Sequence, residues 1–324
     1  MPVSSQSSSL EALQDLFDSH DAAVRLVALR EVADACSPEL LPIVDRALGD
    51  ADAEVRLEAV TTLDAIGGAE SVAPLIRALG DADEEVRGEA AKALAELKDA
   101  DGAGLLLAAL SKAADAWTLA ALLDALKPLR HPSALAPALS GLDHADSAVR
   151  IAAIGVIGYL QSPDAVARLA ALGARDPVAA VRHAALRALV YGTSEQVAQA
   201  ALAALKDLEW IIRAEAAAIL GKLRHAAAAE PLTGLLDFES QWQVREQATE
   251  TLGLLQHKPA IAAIGRCLHS PVSNLRKAAV IALGRIGDRS VRLLLASVRN
   301  DPDAQVRKLA GQLLERLEHD AAGV

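Results

Sequence analysis

A dipeptide of an aliphatic residue followed by arginine returns along this 324-residue chain at a spacing of 31 or 32 residues. The copies are Val24-Arg25, Val55-Arg56, Val86-Arg87, Val149-Arg150, Val181-Arg182, Ile212-Arg213, Val244-Arg245, Leu275-Arg276 and Val306-Arg307. One copy is missing between Arg87 and Arg150, and its place is taken by Thr118-Leu119. The chain therefore holds ten units, and a repeat of this length indicates stacked supersecondary units rather than one globular core.

Each unit carries two stretches with helical spacing. Leu75 and Leu79 precede a break at residues 80–83, and Val86 and Ala90 follow it. Apolar residues three or four positions apart mark one face of a helix, and an aspartate at the break is suited to a turn or a helix cap. We therefore predict a helical hairpin in each unit, which buries its apolar faces by stacking against its neighbours.

The repeated pattern is an Asp, about five residues, Val-Arg, two residues, one or two Ala, and then Ala-Leu. It resembles HEAT repeats, and among them the short bacterial type named after phycobilisome lyases. This resemblance covers residues 8–318 and implies an all-α, right-handed α-solenoid of about ten hairpins, with the second helix of each hairpin on the concave side. We expect a flexible leader at residues 1–7, a single solenoid at 8–318 and a C-terminal tail at 319–324.

The resemblance also implies a ladder in which motif aspartates and arginines pair between neighbouring hairpins. Six residues before the motif arginine stand Asp50, Asp81, Asp176, Asp207 and Asp301, with Glu239 in one unit. In the fourth unit both positions are apolar, Ala113 and Leu119, so neither partner is left buried without the other. We expect a local change of superhelical twist or a hinge at residues 110–130.

Composition and charge exclude several classes of protein. Apolar residues make up 52% of the chain, which excludes disorder, and no apolar run is long enough to span a membrane. The N-terminus does not read as a signal peptide. Cys36 and Cys267 lie far apart, which favours a reducing cytoplasm. The net charge of −11 argues against sequence-independent binding of nucleic acid.

Only seven residues are aromatic, and five of them share positions that the resemblance places on the concave side. Three occupy the two positions before the motif dipeptide and two share the last exposed position of the second helix: Trp117, Trp210, Trp242, Tyr159 and Tyr191. Such rings are enriched at binding surfaces. The alternative is that they cap helices and fill grooves between hairpins. Phe17 and Phe238 fall at the turn between helices, and we interpret both as structural.

One polar stripe and a charge gradient accompany these rings. His183, Arg187 and Tyr191 are spaced by four, so they lie along one helix face, where Arg187 is a fork donor for a carboxylate or phosphate; the alternative is a solvated face. On the same side we expect acidic residues in the first units, Glu54, Glu58, Glu84, Glu85, Glu89 and Glu96, and basic residues in the last, Lys222, Lys277, Arg285, Lys308 and Arg316.

No catalytic signature is present in the sequence. None of the eight histidines is followed by Glu, which argues against the iron-binding deoxyhypusine hydroxylases, and there is no phosphate loop or Cys/His ligand spacing. We expect a non-catalytic, cytoplasmic, monomeric scaffold or adaptor, without cofactor, that binds a protein or peptide segment in its concave groove. The alternative is an E/F-type phycobilin lyase, in which Arg187 and the aromatic groove hold a tetrapyrrole propionate.

Overall fold

The computed structural model describes residues 13–35, 37–97 and 102–322, and all regular secondary structure within these ranges is helical. The leader at 1–7 and Cys36 lie outside the described residues. Cys267 is a buried free thiol. In the part of the chain that is described, no helix is both long and apolar enough to cross a membrane.

The chain divides into two compact units, one ending at Ser162 and the other beginning at Pro163. In the first unit, helical residues 13–17 precede nine α-helices: α1 Ala22–Ala35, α2 Leu41–Ala47, α3 Ala53–Ile66, α4 Val72–Ala78, α5 Glu84–Ala95, α6 Ala103–Leu110, α7 Ala116–Leu129, α8 Leu135–Gly141 and α9 Ser147–Leu160. Residues 110–130 lie inside this unit, and a hinge there stays a prediction.

The second unit repeats the same plan. Its ten α-helices in the described residues are α10 Val166–Arg175, α11 Ala179–Ala188, α12 Ser194–Ala204, α13 Trp210–Lys222, α14 Ala229–Phe238, α15 Trp242–Leu254, α16 Ile261–Cys267, α17 Ser273–Ile286, α18 Val291–Ala296 and α19 Ala304–Ala322. Together the two units hold ten described hairpins, which confirms the α-solenoid architecture.

The second helix of most hairpins begins at a residue that caps it. Asp52 accepts a hydrogen bond from the backbone N–H of Glu54 at 2.8 Å, and Asp83 does the same for Glu85. These side chains satisfy N–H groups that have no partner within the helix. The sequence pattern thus sets where the second helices start.

Small residues let the second helices of neighbouring hairpins pack closely. In each unit these helices contact one another in succession, as α3 contacts α5 and α15 contacts α17. A Cβ atom added to Gly253 would lie 2.7 Å from the Cα atom of Ala282, so the two backbones approach as closely as glycine allows. The scarcity of aromatic residues follows from these thin layers, which Ala, Leu and Val fill.

One sequence expectation is corrected here. Phe17 is buried, as a structural residue should be, but Phe238 is 90% exposed, because it ends α14 beside the turn and points away from both helices. The interpretation of Phe238 as structural is wrong. The last helix continues to Ala322, because no Gly or Pro interrupts residues 312–322, and the C-terminal tail at 319–324 stays a prediction.

Candidate functional site

Within the described residues, motif arginines form bidentate ion pairs with an acid 25 or 26 residues later, in the next hairpin. Nε and Nη2 of the arginine each donate to one carboxylate oxygen at 2.7–2.9 Å. The pairs are Arg25–Asp50, Arg56–Asp81, Arg182–Asp207, Arg213–Glu239 and Arg276–Asp301. Nη1 donates to the carbonyl six residues earlier in its own hairpin. The predicted ladder is therefore confirmed at these rungs.

Each ladder acid performs two tasks. One oxygen of Asp81 accepts the N–H of Asp83 at 2.8 Å and so holds the turn, while both oxygens receive Arg56. The hydrogen bond from Arg56 lowers the pKa of Asp81 below its usual value, and Arg276 lowers the pKa of Asp301 in the same way. The rungs are thus ionised pairs at neutral pH.

In the first unit, two of the five predicted rings contact a cation from the preceding hairpin. The Arg87 guanidinium lies 5.8 Å from the ring centre of Trp117, which belongs to the hairpin whose ladder acid is replaced by Ala113. Arg130 lies at the same distance from the ring of Tyr159. Both rings remain nearly half exposed. The face of Trp117 thus takes the place of the missing carboxylate.

In the second unit, Arg187 of the polar stripe borders a cavity of about 270 Å³. Arg187 lines it together with Lys222 and Glu215 of α13. His183, one turn before Arg187, has its buried Nε2 atom 4.0 Å from a Glu215 oxygen and without a hydrogen bond. Tyr191 is exposed just after α11. The structure therefore brings Arg187 and Lys222 to one cavity, with Glu215 as an acidic neighbour.

The remaining two rings begin consecutive second helices. Trp210 is the first residue of α13 and is exposed, and Trp242 is the first residue of α15 and is half-buried. Beside them stand apolar side chains that the sequence analysis missed as a surface: Leu208 is 92% exposed, Phe238 is 90% exposed and Ile211 is also exposed. We call these five residues the turn patch.

The turn patch had a detectable signal in the sequence. Leu208 follows ladder residue Asp207 and Phe238 precedes Glu239, whereas the other ladder residues are flanked at these positions by small, polar or proline residues. The Arg213–Glu239 rung, with 2.7 Å between Nε and Oε2, ties the start of α13 to the turn that carries Phe238. The two turns are therefore held side by side.

Each unit has a charged cavity beside the ends of second helices, and the charge gradient along the repeats stays a prediction. In the first unit, Asp64, Glu96 and Pro128 border a cavity of about 710 Å³. Burial raises the pKa of Asp64, and the neighbouring carboxylates of Glu96 and Glu89 add to this effect.

In the second unit, the corresponding cavity has a volume of about 700 Å³ and is bordered by Arg224, Arg285 and Arg316. Arg316 also donates to the backbone carbonyl of Gly284 at 3.1 Å. Over the described ranges, no group of three or more His, Cys, Asp or Glu side chains is arranged to hold a metal ion.

A family model described as HEAT repeats matches five overlapping segments, residues 9–95, 43–127, 103–190, 171–253 and 239–315. The chain belongs to the HEAT-repeat family. No curated protein matches it. The assignment of these HEAT repeats to the phycobilisome-lyase type stays a prediction.

Solved structures share this HEAT-repeat fold. An engineered protein is 20% identical with a TM-score of 0.53, over 95% of this chain and 98% of that protein. YibA of Escherichia coli is 17% identical with a TM-score of 0.52, over 89% and 96%. Human deoxyhypusine hydroxylase is 21% identical over 77% and 96%, and its TM-score of 0.35 carries no inference. At these identities the similarity shows the fold alone.

Proposed function

We propose that this chain is a non-catalytic, monomeric interaction module of the cytoplasm, and that it binds a segment of a partner protein through its second unit. HEAT repeats typically mediate contacts between proteins. The observation that carries the proposal is the turn patch, in which Leu208 and Phe238 are almost fully exposed on consecutive turns.

Exposure of apolar side chains of this size to water is unfavourable, and the free energy falls when a partner covers them. The turn patch combines two tryptophans with three other large apolar residues, and tryptophan is the residue type most enriched among binding hot spots. The Arg213–Glu239 rung holds its two turns in place, so little conformational entropy is lost on binding. A partner segment with bulky apolar side chains suits this surface.

The rest of the proposed groove supplies polarity. Arg187 and Lys222 line the cavity of about 270 Å³, and Arg285 and Arg316 border the larger cavity of the same unit. A partner segment that carries acidic residues beside its apolar ones would pair with these cations, and such pairing fixes register and orientation. We propose that His183 and Tyr191 also belong to this groove.

The experiment compares the unmodified chain with a Leu208→Ser/Phe238→Ser double variant and a Leu293→Ser control. Leu293 is 83% exposed on α18 and lies outside the turn patch, so the control removes an equally exposed apolar side chain. Each immobilised protein is incubated with extract from its source cells, and captured proteins are identified by mass spectrometry. The affinity of the captured partner is then measured with purified components.

We expect the double variant to lose the partner that the unmodified chain and the control retain. Loss of one hot spot costs about 2 kcal/mol or more, which is roughly a thirtyfold change in Kd. Equal capture by all three proteins would refute the proposal. Melting temperatures should agree, since exposed side chains contribute little to folding. As a check on the lyase alternative, we expect added bilin to keep its visible spectrum.

A further inference from the structure

In the part of the chain that the structure describes, the ladder arginine Arg245 has no carboxylate partner. Arg245 is the motif arginine of the eighth hairpin, and the residue 25 positions later is Ser270, where the other rungs of this unit have Asp207, Glu239 and Asp301. The rung between the eighth and ninth hairpins is therefore incomplete. We call the space beside Arg245 and Ser270 the vacant rung.

Ser270 performs one of the two tasks of a ladder acid. Its Oγ accepts the N–H of Val272 at 3.2 Å, and its carbonyl accepts Nη1 of Arg276 at 2.8 Å. The turn and the neighbouring rung are thus intact. The serine side chain ends at the atom that corresponds to the carboxyl carbon of aspartate, so the two carboxylate oxygens that would accept from Arg245 are missing.

The guanidinium of Arg245 is correspondingly under-satisfied. Its Nη2 contacts the Sγ atom of Cys267 at 3.6 Å, and a thiol is a weak acceptor. Its Nε is buried and has no hydrogen-bond partner, and it is the one such arginine nitrogen in the described part of the chain. A buried N–H group without an acceptor costs free energy, and more so on a cation.

The rung between the third and fourth hairpins provides a comparison, because Ala113 stands at the position of its acid. There Arg87 also lacks a carboxylate, but it lies against the face of Trp117 and donates to the carbonyls of Asp81 and Ala82 at 2.7 and 2.9 Å. No ring replaces the acid beside Arg245. Arg245 is partly exposed as a residue, although its Nε is buried, so a solute approaches the guanidinium from its exposed side.

We propose that the vacant rung binds a small carboxylate, which accepts from Nε and Nη2 of Arg245 as aspartate does at the other rungs. The bidentate geometry is that of the Arg276–Asp301 rung, with distances of 2.7 and 2.8 Å. Formate is the smallest carboxylate and supplies the two acceptor oxygens that Ser270 lacks. The carboxylate comes either from a free anion or from an acidic side chain of another protein.

The test is thermal unfolding of the full chain with increasing formate, at constant ionic strength maintained with a bulky sulfonate salt. Three proteins are compared: the unmodified chain, Ser270→Asp and Arg245→Met. Ser270→Asp fills the vacant rung with a tethered carboxylate, and Arg245→Met removes the guanidinium while it keeps an apolar stem of similar length. Calorimetric titration of each folded protein with formate measures binding independently of unfolding.

We expect formate to raise the melting temperature of the unmodified chain by about 2–4 °C at saturation, and to leave both variants unchanged. Ser270→Asp alone should melt higher than the unmodified chain. A blocked Gly-Asp-Gly peptide is the second probe: stabilisation by formate alone indicates a free anion, and stabilisation by both indicates a partner side chain. Equal responses of the three proteins, or no response and no heat in the unmodified chain, would overturn the proposal.

Discussion

The Arg276–Asp301 rung offers a direct measure of how much the ladder stabilises the second unit. Both side chains are nearly buried, with 9% and 4% of their surface exposed. The variant Arg276→Met leaves the Asp301 carboxylate buried with the N–H of Asp303 as its remaining donor in the turn. Removal of one partner from a buried pair costs about 3–5 kcal/mol, because the other charge has lost its compensation.

The control is a pair that also joins neighbouring helices but lies in water. Arg292 and Glu318 are 3.0 Å apart, with 62% and 47% of their side chains exposed. Such pairs contribute about 0–1 kcal/mol, so Arg292→Met should change the free energy of unfolding very little. The double variant Arg276→Met/Asp301→Leu removes both charges and should recover much of the loss.

Urea denaturation followed by circular dichroism, together with melting curves, measures these differences. Repeat proteins depart from two-state unfolding, so hydrogen exchange of α17 and α19 is the local readout. We expect Arg276→Met to accelerate exchange in both helices. If Arg276→Met is no more destabilising than Arg292→Met, the ladder does not hold the hairpins together and the reasoning fails.

Three further predictions address acidity, close packing and the aromatic rings. The pKa of Asp301 is lower in the folded state, so this carboxylate stabilises the fold fully above the unfolded carboxyl pKa of about 4 and loses that effect as the pH falls through the lowered value. Melting curves between pH 7 and 2 should show this loss of stability, and the loss should be less steep in Arg276→Met. Gly253→Ala should destabilise by about 1–3 kcal/mol because its Cβ meets backbone, whereas Gly234→Ala, in open space on α14, should stabilise by up to about 1 kcal/mol in urea titrations. Trp210→Ala with Trp242→Ala should weaken partner capture at nearly constant melting temperature, and a loss of several kcal/mol would instead assign both rings to packing.

Much of the fold follows from local pattern in the chain. The Val-Arg period and the capping aspartates predict ten hairpins, since each depends on residues at fixed separations, and the resemblance to HEAT repeats implies the ladder between them. Helix starts such as Glu84 after Asp83 follow from side-chain capping, which is a contact between near neighbours in sequence. A repeat in which each hairpin contacts its neighbours extends such local rules to the whole array.

The sequence predicted the candidate site only in part. The five rings were expected on one surface, and each is at least partly exposed. The contacts of Arg87 with Trp117 and of Arg130 with Tyr159 depend on how neighbouring hairpins pack against each other. Phe238 looked structural because of its place in the turn. Its exposure depends on which way the end of α14 faces.

Sequence alone thus establishes the helical hairpins, because they arise from periodicity, and the resemblance to HEAT repeats implied the arginine–acid pairs. Tertiary structure decides what happens where the pattern breaks. Arg245 meets a thiol instead of a carboxylate, and Leu208 and Phe238 meet solvent. Burial and hydrogen bonding at these places depend on atoms of the neighbouring hairpin, which no spacing within a single repeat specifies.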